Sequence, residues 1–305
     1  MIYTICLTPS IEKRVRGTNV DEIRFNAEQF SYNVSGTGIK VSNYLKHFGI
    51  DTTCVYLSGS KTSAFIEEEL TKKEIKTISV ESNVVSVMQT IFIDENENVQ
   101  TTKEPLQIVS DAHLSLFQSV LENKIEEKAT IVMEYNDMAL SKEAMSAFYK
   151  QLAKKAELLI CDIHPKYYEV LAQRKVDVLT MDETSFLTYM NEESVPLSKT
   201  MEIIQEELTP LAQIIIYMYA PNDFLIFYNK RIYRVLSTIK LASKKIYKEA
   251  VLAKLLQCLE NDDNFETMCK ECLKSSMGAN LSDGLFITTE LALEKMDNSV
   301  HVYSI

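Results

Sequence analysis

Two hydrophobic patterns alternate along most of this chain. From residue 110 onward, segments with apolar positions at helical spacing are followed by short unbroken apolar runs. The helical segments are Ser110–Asn123, Ser141–Lys155, Lys166–Gln173, 182–190 and 197–208. The runs are Thr130–Met133, Leu158–Asp162, Val176–Thr180 and Gln213–Tyr219, which read as strands covered on both faces. Alternation of this kind predicts a parallel, doubly wound sheet with right-handed crossovers. Upstream, Ile2–Leu7 and Thr53–Leu57 are further strands, and Lys61–Lys73 is a helix. Lys76–Val80 is a brief strand, and Val85–Ile93 and Val99–Thr102 form a hairpin around the polar turn Asp94–Asn98. With Lys13–Val15 and Gln29–Asn33, these short strands make two excursions, near 12–33 and 76–102, that pair into a small sheet over one face. Downstream, Asp223–Tyr228 and Arg231–Leu236 form an edge hairpin, and helices Ile246–Leu259, Phe265–Ser275 and Thr288–Lys295 close the chain. No internal repeat or low-complexity linker divides it, so residues 1–305 read as one domain.

One stretch carries more than packing information. Asn33–Gly49 reads as strand, glycine turn, helix and glycine stop, with Ile39, Ser42 and Leu45 at helical spacing. Gly36 and Gly38 permit positive φ and close approach of a ligand to the backbone. A helix N-terminus behind such a turn favours an anion through its free N–H groups and its dipole. An ordinary capped helix has the same pattern, so both readings stand.

Composition narrows the classes. The chain has 305 residues, is 46% hydrophobic and 25% charged, and carries a net charge of −11. That charge argues against nonspecific nucleic-acid binding, and no apolar run is long enough to span a bilayer. Met1–Leu7 lacks a basic leader and reads as a first strand. The six scattered cysteines fit reduced thiols in a cytoplasm. None of the seven glycines falls between residues 60 and 277, where average usage would put roughly fifteen. A glycine-rich phosphate cradle therefore belongs near the N-terminus or is absent.

In order along the chain, the motifs resemble those of the PfkB (ribokinase-like) sugar kinases, closest to 1-phosphofructokinase and tagatose-6-phosphate kinase. Met1–Ile5 with Leu7–Glu12 matches the opening strand and its Asn-Pro-Ala-x-Asp motif. Ser35–Ser42 matches Gly-Gly-Lys-Gly-x-Asn-Val-Ala, Thr102–Pro105 lies where Asn-Glu-Pro-Gly is usual, and Gly284–Phe286 fits the tail of the domain. The resemblance implies an α/β ribokinase-like fold, doubly wound and mainly parallel, flanked by helices and carrying a small β-sheet lid, often paired into a homodimer through the lids. It also implies phosphoryl transfer from ATP with Mg to a sugar hydroxyl, a reaction carried by positioning and charge stabilisation with a carboxylate as base.

By the same resemblance, the base position is Lys248, in Lys245–Lys248, where the kinases have Gly-Ala-Gly-Asp. An ammonium with a pKa near about 10 accepts no proton unless its surroundings move it far down. Lys245 and Tyr247 add side chains where phosphate approaches backbone in those kinases. The nucleotide strand end is Tyr217–Tyr219, the metal-associated motif is Asp182–Ser185, and the Ser-Gly-Ser-Leu-Pro loop is Glu134–Met138. On the sugar side, Asp becomes Glu12, Lys becomes Thr37, Asn becomes Lys40, and the lid Arg falls near Val87. The implied substrate-binding set is Glu12, Gly36, Gly38 and Lys40. No nucleotide-binding residue, metal site or intact catalytic residue is assigned. The expectation is an inactive homologue that binds a phosphorylated sugar or regulates. The alternative is an atypical kinase using Asp182 or Glu249 as base.

Other signals carry competing readings. Glu12 is either a sugar ligand at a strand end or a solvent carboxylate, and Lys40 either meets an anion or snorkels. The basic cluster Lys240, Lys244, Lys245 and Lys248 reads first as a solvated face. Cys269 and Cys272 read as core, His164 as a cap, His47 as a complement to a helix C-terminus, and Tyr217, Tyr219, Tyr228 and Tyr233 as sheet packing.

Overall fold

A computed structural model describes residues 1–17, 30–59, 62–82, 87–93, 99–103, 109–135, 138–241, 245–282 and 296–305. In chain order the strands are β1 (Ile2–Cys6), β2 (Ser10–Arg16), β3 (Phe30–Ser35), β4 (Thr52–Ser58), β5 (Lys76–Glu81), β6 (Val87–Ile93), β7 (Val99–Lys103), β8 (Ala129–Tyr135), β9 (Ala156–Ile163), β10 (Val176–Asp182), β11 (Ala212–Ala220), β12 (Asp223–Tyr228), β13 (Arg231–Ser237) and β14 (Val300–Ser304). The helices are α1 (Thr37–His47), α2 (Thr62–Lys72), α3 (Asp111–Lys124), α4 (Lys142–Lys155), α5 (Glu183–Met190), α6 (Leu197–Ile203), α7 (Lys248–Glu260) and α8 (Phe265–Leu281).

Ten strands form the large sheet, in the order β14-β13-β12-β11-β10-β9-β8-β1-β4-β5. From β11 to β5 every neighbouring pair is parallel, and β12, β13 and β14 continue antiparallel at one edge. The apolar strand runs supply both faces. On β9, Ile160 belongs to the same buried cluster as Val41 of α1 and Val251 of α7, while Cys161 belongs to the cluster of the opposite side with Phe148 of α4. A second sheet, in the order β3-β2-β6-β7, stands apart.

The expected architecture is therefore present, with local corrections. The excursion expected over 76–102 divides: Lys76–Glu81 pairs with β4 in the large sheet, and only β6 and β7 join the small one. The helix expected at Lys166–Gln173 is a 3₁₀ helix over Pro165–Gln173. Its buried residues Tyr167, Tyr168, Val170 and Leu171 pair at i, i+3, the spacing that 3₁₀ geometry eclipses onto one side. The segment 197–208 divides into α6 and a π-helical turn over Ile204–Leu208. Helix α8 runs on to Leu281, well past Ser275. Strand β14 has no counterpart in the sequence reading, because most of its residues are exposed and it lacks an unbroken apolar run. The helix expected at Thr288–Lys295 lies outside the described residues.

The N-terminal turn of α1 lies against the end of β1. A Cβ on Gly38 would stand 2.6 Å from the Ile5 carbonyl oxygen and 3.0 Å from Cys6 Cβ. A Cβ on Gly36, at φ 117°, would stand 2.5 Å from Cys6 Sγ. Both glycines thus have a packing reason within the chain: they let helix backbone meet strand backbone. Behind them, Ser42 Oγ lies 2.6 Å from Thr4 Oγ1 and accepts from Thr52 Oγ1 at 3.0 Å, fixing α1 across β1 and β4. Gly38→Ala is expected to cost about 1–3 kcal/mol, the usual range for overpacking, measured by urea unfolding followed by circular dichroism. A variant as stable as the native chain contradicts this packing.

Candidate functional site

Three successive parallel strands end in an acid on the same face. Residues two apart on a strand point the same way, so Glu134 follows Val132 on β8, Asp162 follows Ile160 on β9, and Asp182 follows Val178 and Thr180 on β10, all toward the side covered by α1, α7 and α8. Glu134 and Asp162 are register partners. Helix α7 begins above this row, and its first residue is Lys248.

Lys248 reaches down into the acids. Its Nζ lies 3.0 Å from Asp162 Oδ2, 3.2 Å from Asp162 Oδ1 and 3.4 Å from Asp182 Oδ2. The Asp162 side chain is 1% exposed and that of Lys248 17%. Burial opposes the Lys248 charge, but Asp162 and then Asp182 outweigh it and hold the ammonium protonated above the ordinary lysine value. Burial pushes the Asp162 carboxyl up, Lys248 pulls it back, and the Asp182 charge adds to the rise. Asp182 itself is held below the usual carboxylate range: burial resists, while Lys248 and the Ser185 N–H, which donates to Oδ1 at 2.8 Å, prevail. That last bond makes Asp182 the N-cap of α5.

A second lysine is clamped in the same manner nearby. Lys40, in the first turn of α1, donates to Glu12 Oε1 at 2.8 Å and lies 3.9 Å from Glu249 Oε1 of α7. Glu12 belongs to β2 in the small sheet, so this contact ties that sheet to the body. Glu12 also accepts from Ser35 Oγ at 2.7 Å and meets Arg14 Nη2 at 3.5 Å. It is 5% exposed, which excludes the solvent-carboxylate reading. Burial raises its pKa, but Lys40, with help from Ser35 and Arg14, brings it down to about 2. The snorkelling reading of Lys40 is likewise replaced by pairing inside the chain.

The basic cluster expected on a solvated face therefore divides. Lys248 is paired inside, and Lys245 is an exposed residue whose ammonium turns over the Tyr247 ring, 4.7 Å from its centroid. Lys240 is exposed, and Lys244 lies outside the described residues. His164 caps its 3₁₀ helix by accepting the Lys166 N–H at 3.1 Å, and Cys269 and Cys272 are buried in the core, as expected. Tyr217 and Tyr219 stack at 5.8 Å, and Tyr228 and Tyr233 pack on Phe265. Sequence reasoning passed over Asp162 as a partner of Lys248. The usable signal was that three consecutive apolar runs each end in an acid.

A cleft of about 640 Å³ opens beside Asp182, bordered by Glu183, Thr184, Tyr219, Asn222 and Ile246. The ATP and Mg implied by the resemblance do not fit this donor set. An ammonium already stands against Asp162 and against Asp182, which belongs to the motif that the resemblance associates with the metal, and the N-terminal pole of α5 is met by Asp182. Just before α7, Lys245 and Tyr247 carry side chains at the positions where the resemblance implies bare backbone facing a phosphate. Among the described residues no cluster of three or more His, Cys, Asp or Glu is placed to hold a metal ion.

Glu12→Gln tests the clamp on the small sheet. The folded pKa of Glu12 lies below its ordinary 4.5, so its stabilisation is complete above about pH 4.5 and is lost as the pH falls toward 2. The substitution is expected to cost on the order of 2–3 kcal/mol at pH 7 and nearly nothing at pH 2, read from urea unfolding at each pH. A cost that does not change with pH contradicts an ionised, clamped Glu12.

The chain matches no established family profile. It is 30% identical over 108 residues to a D-tagatose-1-phosphate kinase from Bacillus licheniformis, and that match spans 35% of this chain and 35% of the relative. Over nearly the whole chain it superposes on Escherichia coli phosphofructokinase-2 in complex with fructose-6-phosphate, with a TM-score of 0.80 at 16% identity, covering 97% of each chain. A protein from Thermotoga maritima described as a possible 1-phosphofructokinase gives a TM-score of 0.82 at 16% identity, covering 100% of this chain and 99% of that one. The ten-stranded α/β core and its separate small sheet therefore have the ribokinase-like fold of these phosphofructokinases.

Proposed function

We propose that this protein is a catalytically silent relative of the PfkB sugar-phosphate kinases that binds a phosphorylated sugar and acts as a binding or regulatory protein. The observation that carries this reading is Lys248, held as an ammonium between Asp162 and Asp182 at the position where the resemblance puts the base. A permanently protonated group there removes no proton from a sugar hydroxyl. Asp182, the first alternative base, is engaged twice over and held below the usual carboxylate range, which makes it a weak acceptor. The ligand class is supported by the partial likeness to a tagatose-1-phosphate kinase and by the fold shared with a phosphofructokinase solved with fructose-6-phosphate. Pairing of two copies through the small sheet and a cytoplasmic location belong to the same reading. No helix of the described residues is long and apolar enough to cross a membrane.

Two measurements test it together. Fructose 1-phosphate or tagatose 6-phosphate with ATP and Mg is expected to release no ADP above the protein-free rate. The phosphosugar alone is expected to raise the melting temperature, since a ligand that binds only the folded state stabilises it, while ATP with Mg leaves it unchanged. ATP-dependent turnover that disappears in Asp182→Asn overturns the silent reading.

A further inference from the structure

Another cavity, of about 530 Å³, opens at the opposite end of the large sheet from the Lys248 cleft. It lies where the parallel strands β10 and β11 begin, beside the turn between β12 and β13. Lys175, Gln205, Thr209, Gln213, Asn229 and Lys230 are among its lining residues. Strand β10 runs from Val176, next to this cavity, to Asp182, which at about 3.3 Å per residue separates the two sites by roughly 20 Å. The lining contains two cations and no carboxylate. The chain as a whole has 43 acidic against 32 basic side chains, so two lysines without acids run against its composition. Neither Lys175 nor Lys230 makes an ion pair or a side-chain hydrogen bond among the described residues. Asp177 is already answered: it accepts from the Gln213 amide at 2.8 Å and the Leu159 N–H at 2.7 Å, and lies 3.8 Å from Arg174.

The two lysines come from separate, fixed elements. Lys175 directly precedes β10, whose Val176 N–H donates to the Leu211 carbonyl at 3.0 Å. Lys230 sits in the two-residue turn between β12 and β13, where Asn229 and Lys230 have φ of 51° and 62°. Such a turn matches the twist of its strands, so the ladder on either side holds the Lys230 backbone. The third feature is a buried acceptor. Gln205 belongs to the π-helical turn over Ile204–Leu208, closed by the Thr209 N–H donating to the Ile204 carbonyl at 3.0 Å. Thr209 Oγ1 donates to the Gln205 backbone carbonyl at 2.7 Å. The side-chain Oε1 of Gln205 is buried and accepts no hydrogen bond among the described residues. A buried acceptor without a donor costs free energy, which a donor entering the cavity removes. We propose that this cavity binds a small organic dianion carrying a hydroxyl group, with Lys175 and Lys230 meeting its charge and Gln205 Oε1 accepting from its hydroxyl. The volume is that of a small-molecule site. Dicarboxylates and phosphate monoesters share this chemistry. The assignment does not depend on the functional reading above, since none of these residues belongs to the Lys248 or Lys40 clamps.

The experiment is calorimetric titration of the full chain at low salt with malate, succinate and glycerol 3-phosphate. Malate and succinate differ by one hydroxyl. Malate is expected to bind the native chain, and to bind roughly tenfold more weakly in Lys175→Gln and in Lys230→Gly, the scale of one lost charge-assisted contact. Lys175 is exposed and glycine suits the positive φ at position 230, so both variants are expected to fold, which circular dichroism checks. Succinate is expected to bind the native chain about fivefold more weakly than malate, the scale of one neutral hydrogen bond, and Gln205→Leu to erase that difference. Lys150→Gln, which removes an exposed lysine of α4 outside the cavity, should leave the affinities unchanged. Glycerol 3-phosphate that binds more tightly than malate, with the same dependence on Lys175 and Lys230, identifies phosphate monoesters as the preferred class, and the reverse order identifies dicarboxylates. Binding that ignores both cavity lysines, that weakens equally in Lys150→Gln, or that is absent for malate and glycerol 3-phosphate alike at millimolar concentration overturns the site. Equal affinity of the native chain for malate and succinate overturns the part assigned to Gln205 and the hydroxyl. None of these outcomes bears on Lys248, so the functional reading stands or falls separately.

Discussion

A buried ammonium must be compensated, and at Lys248 the compensation comes from two strands at once. Taking an unpaired charge out of water costs several kcal/mol even after relaxation. The first turn of a helix adds a further small penalty for a cation. Asp162 on β9 and Asp182 on β10 meet both demands, so the start of α7 is registered against the ends of two adjacent strands. Removing Lys248 would leave Asp162 buried beside Asp182 without the counter-charge that both share. The contact therefore fixes geometry more than it adds net stability, and the geometry it fixes is that of a filled site.

The same logic recurs at Lys40, with a different consequence. Its partners Glu12 and Glu249 come from the small sheet and from α7, so one ammonium joins three separate pieces of the fold. Together the two lysines bring the N-terminal turns of α1 and α7 to the carboxyl ends of the parallel strands. That is where ligands of open α/β sheets bind. Here the strand-end acids Asp162 and Asp182 are answered by Lys248, and Asp182 also caps α5.

Much of the architecture could be read from periodicity because the strands are buried on both faces. Runs such as Leu158–Asp162 and Gln213–Tyr219 announce themselves without alternation. The misreadings have local causes. Strand β14 is mostly exposed at the sheet edge, so its residues carry no core signal. Lys76–Glu81 is short and half exposed, and only its pairing with β4 assigns it to the large sheet. At the site, the resemblance grouped Glu12, Gly36, Gly38 and Lys40, and in the structure Lys40 donates to Glu12. It could not show that Gly38 answers to the Ile5 carbonyl, or that Lys40 already has acids within reach. Lys248 was identifiable as an anomaly. Its partner Asp162 lies 86 residues away, and nothing local links the two.

The protonation state of Lys248 is the quantity on which all of this turns. Its side-chain carbon shifts, followed by nuclear magnetic resonance in lysine-labelled protein with Lys248→Arg as the assignment control, report it directly. The expected result is a Lys248 resonance that stays that of an ammonium beyond the ordinary lysine value of 10.5, for as long as the chain remains folded. Titration of Lys248 near neutral pH would instead reveal a neutral amine able to take a proton, and the silent site would have to be abandoned.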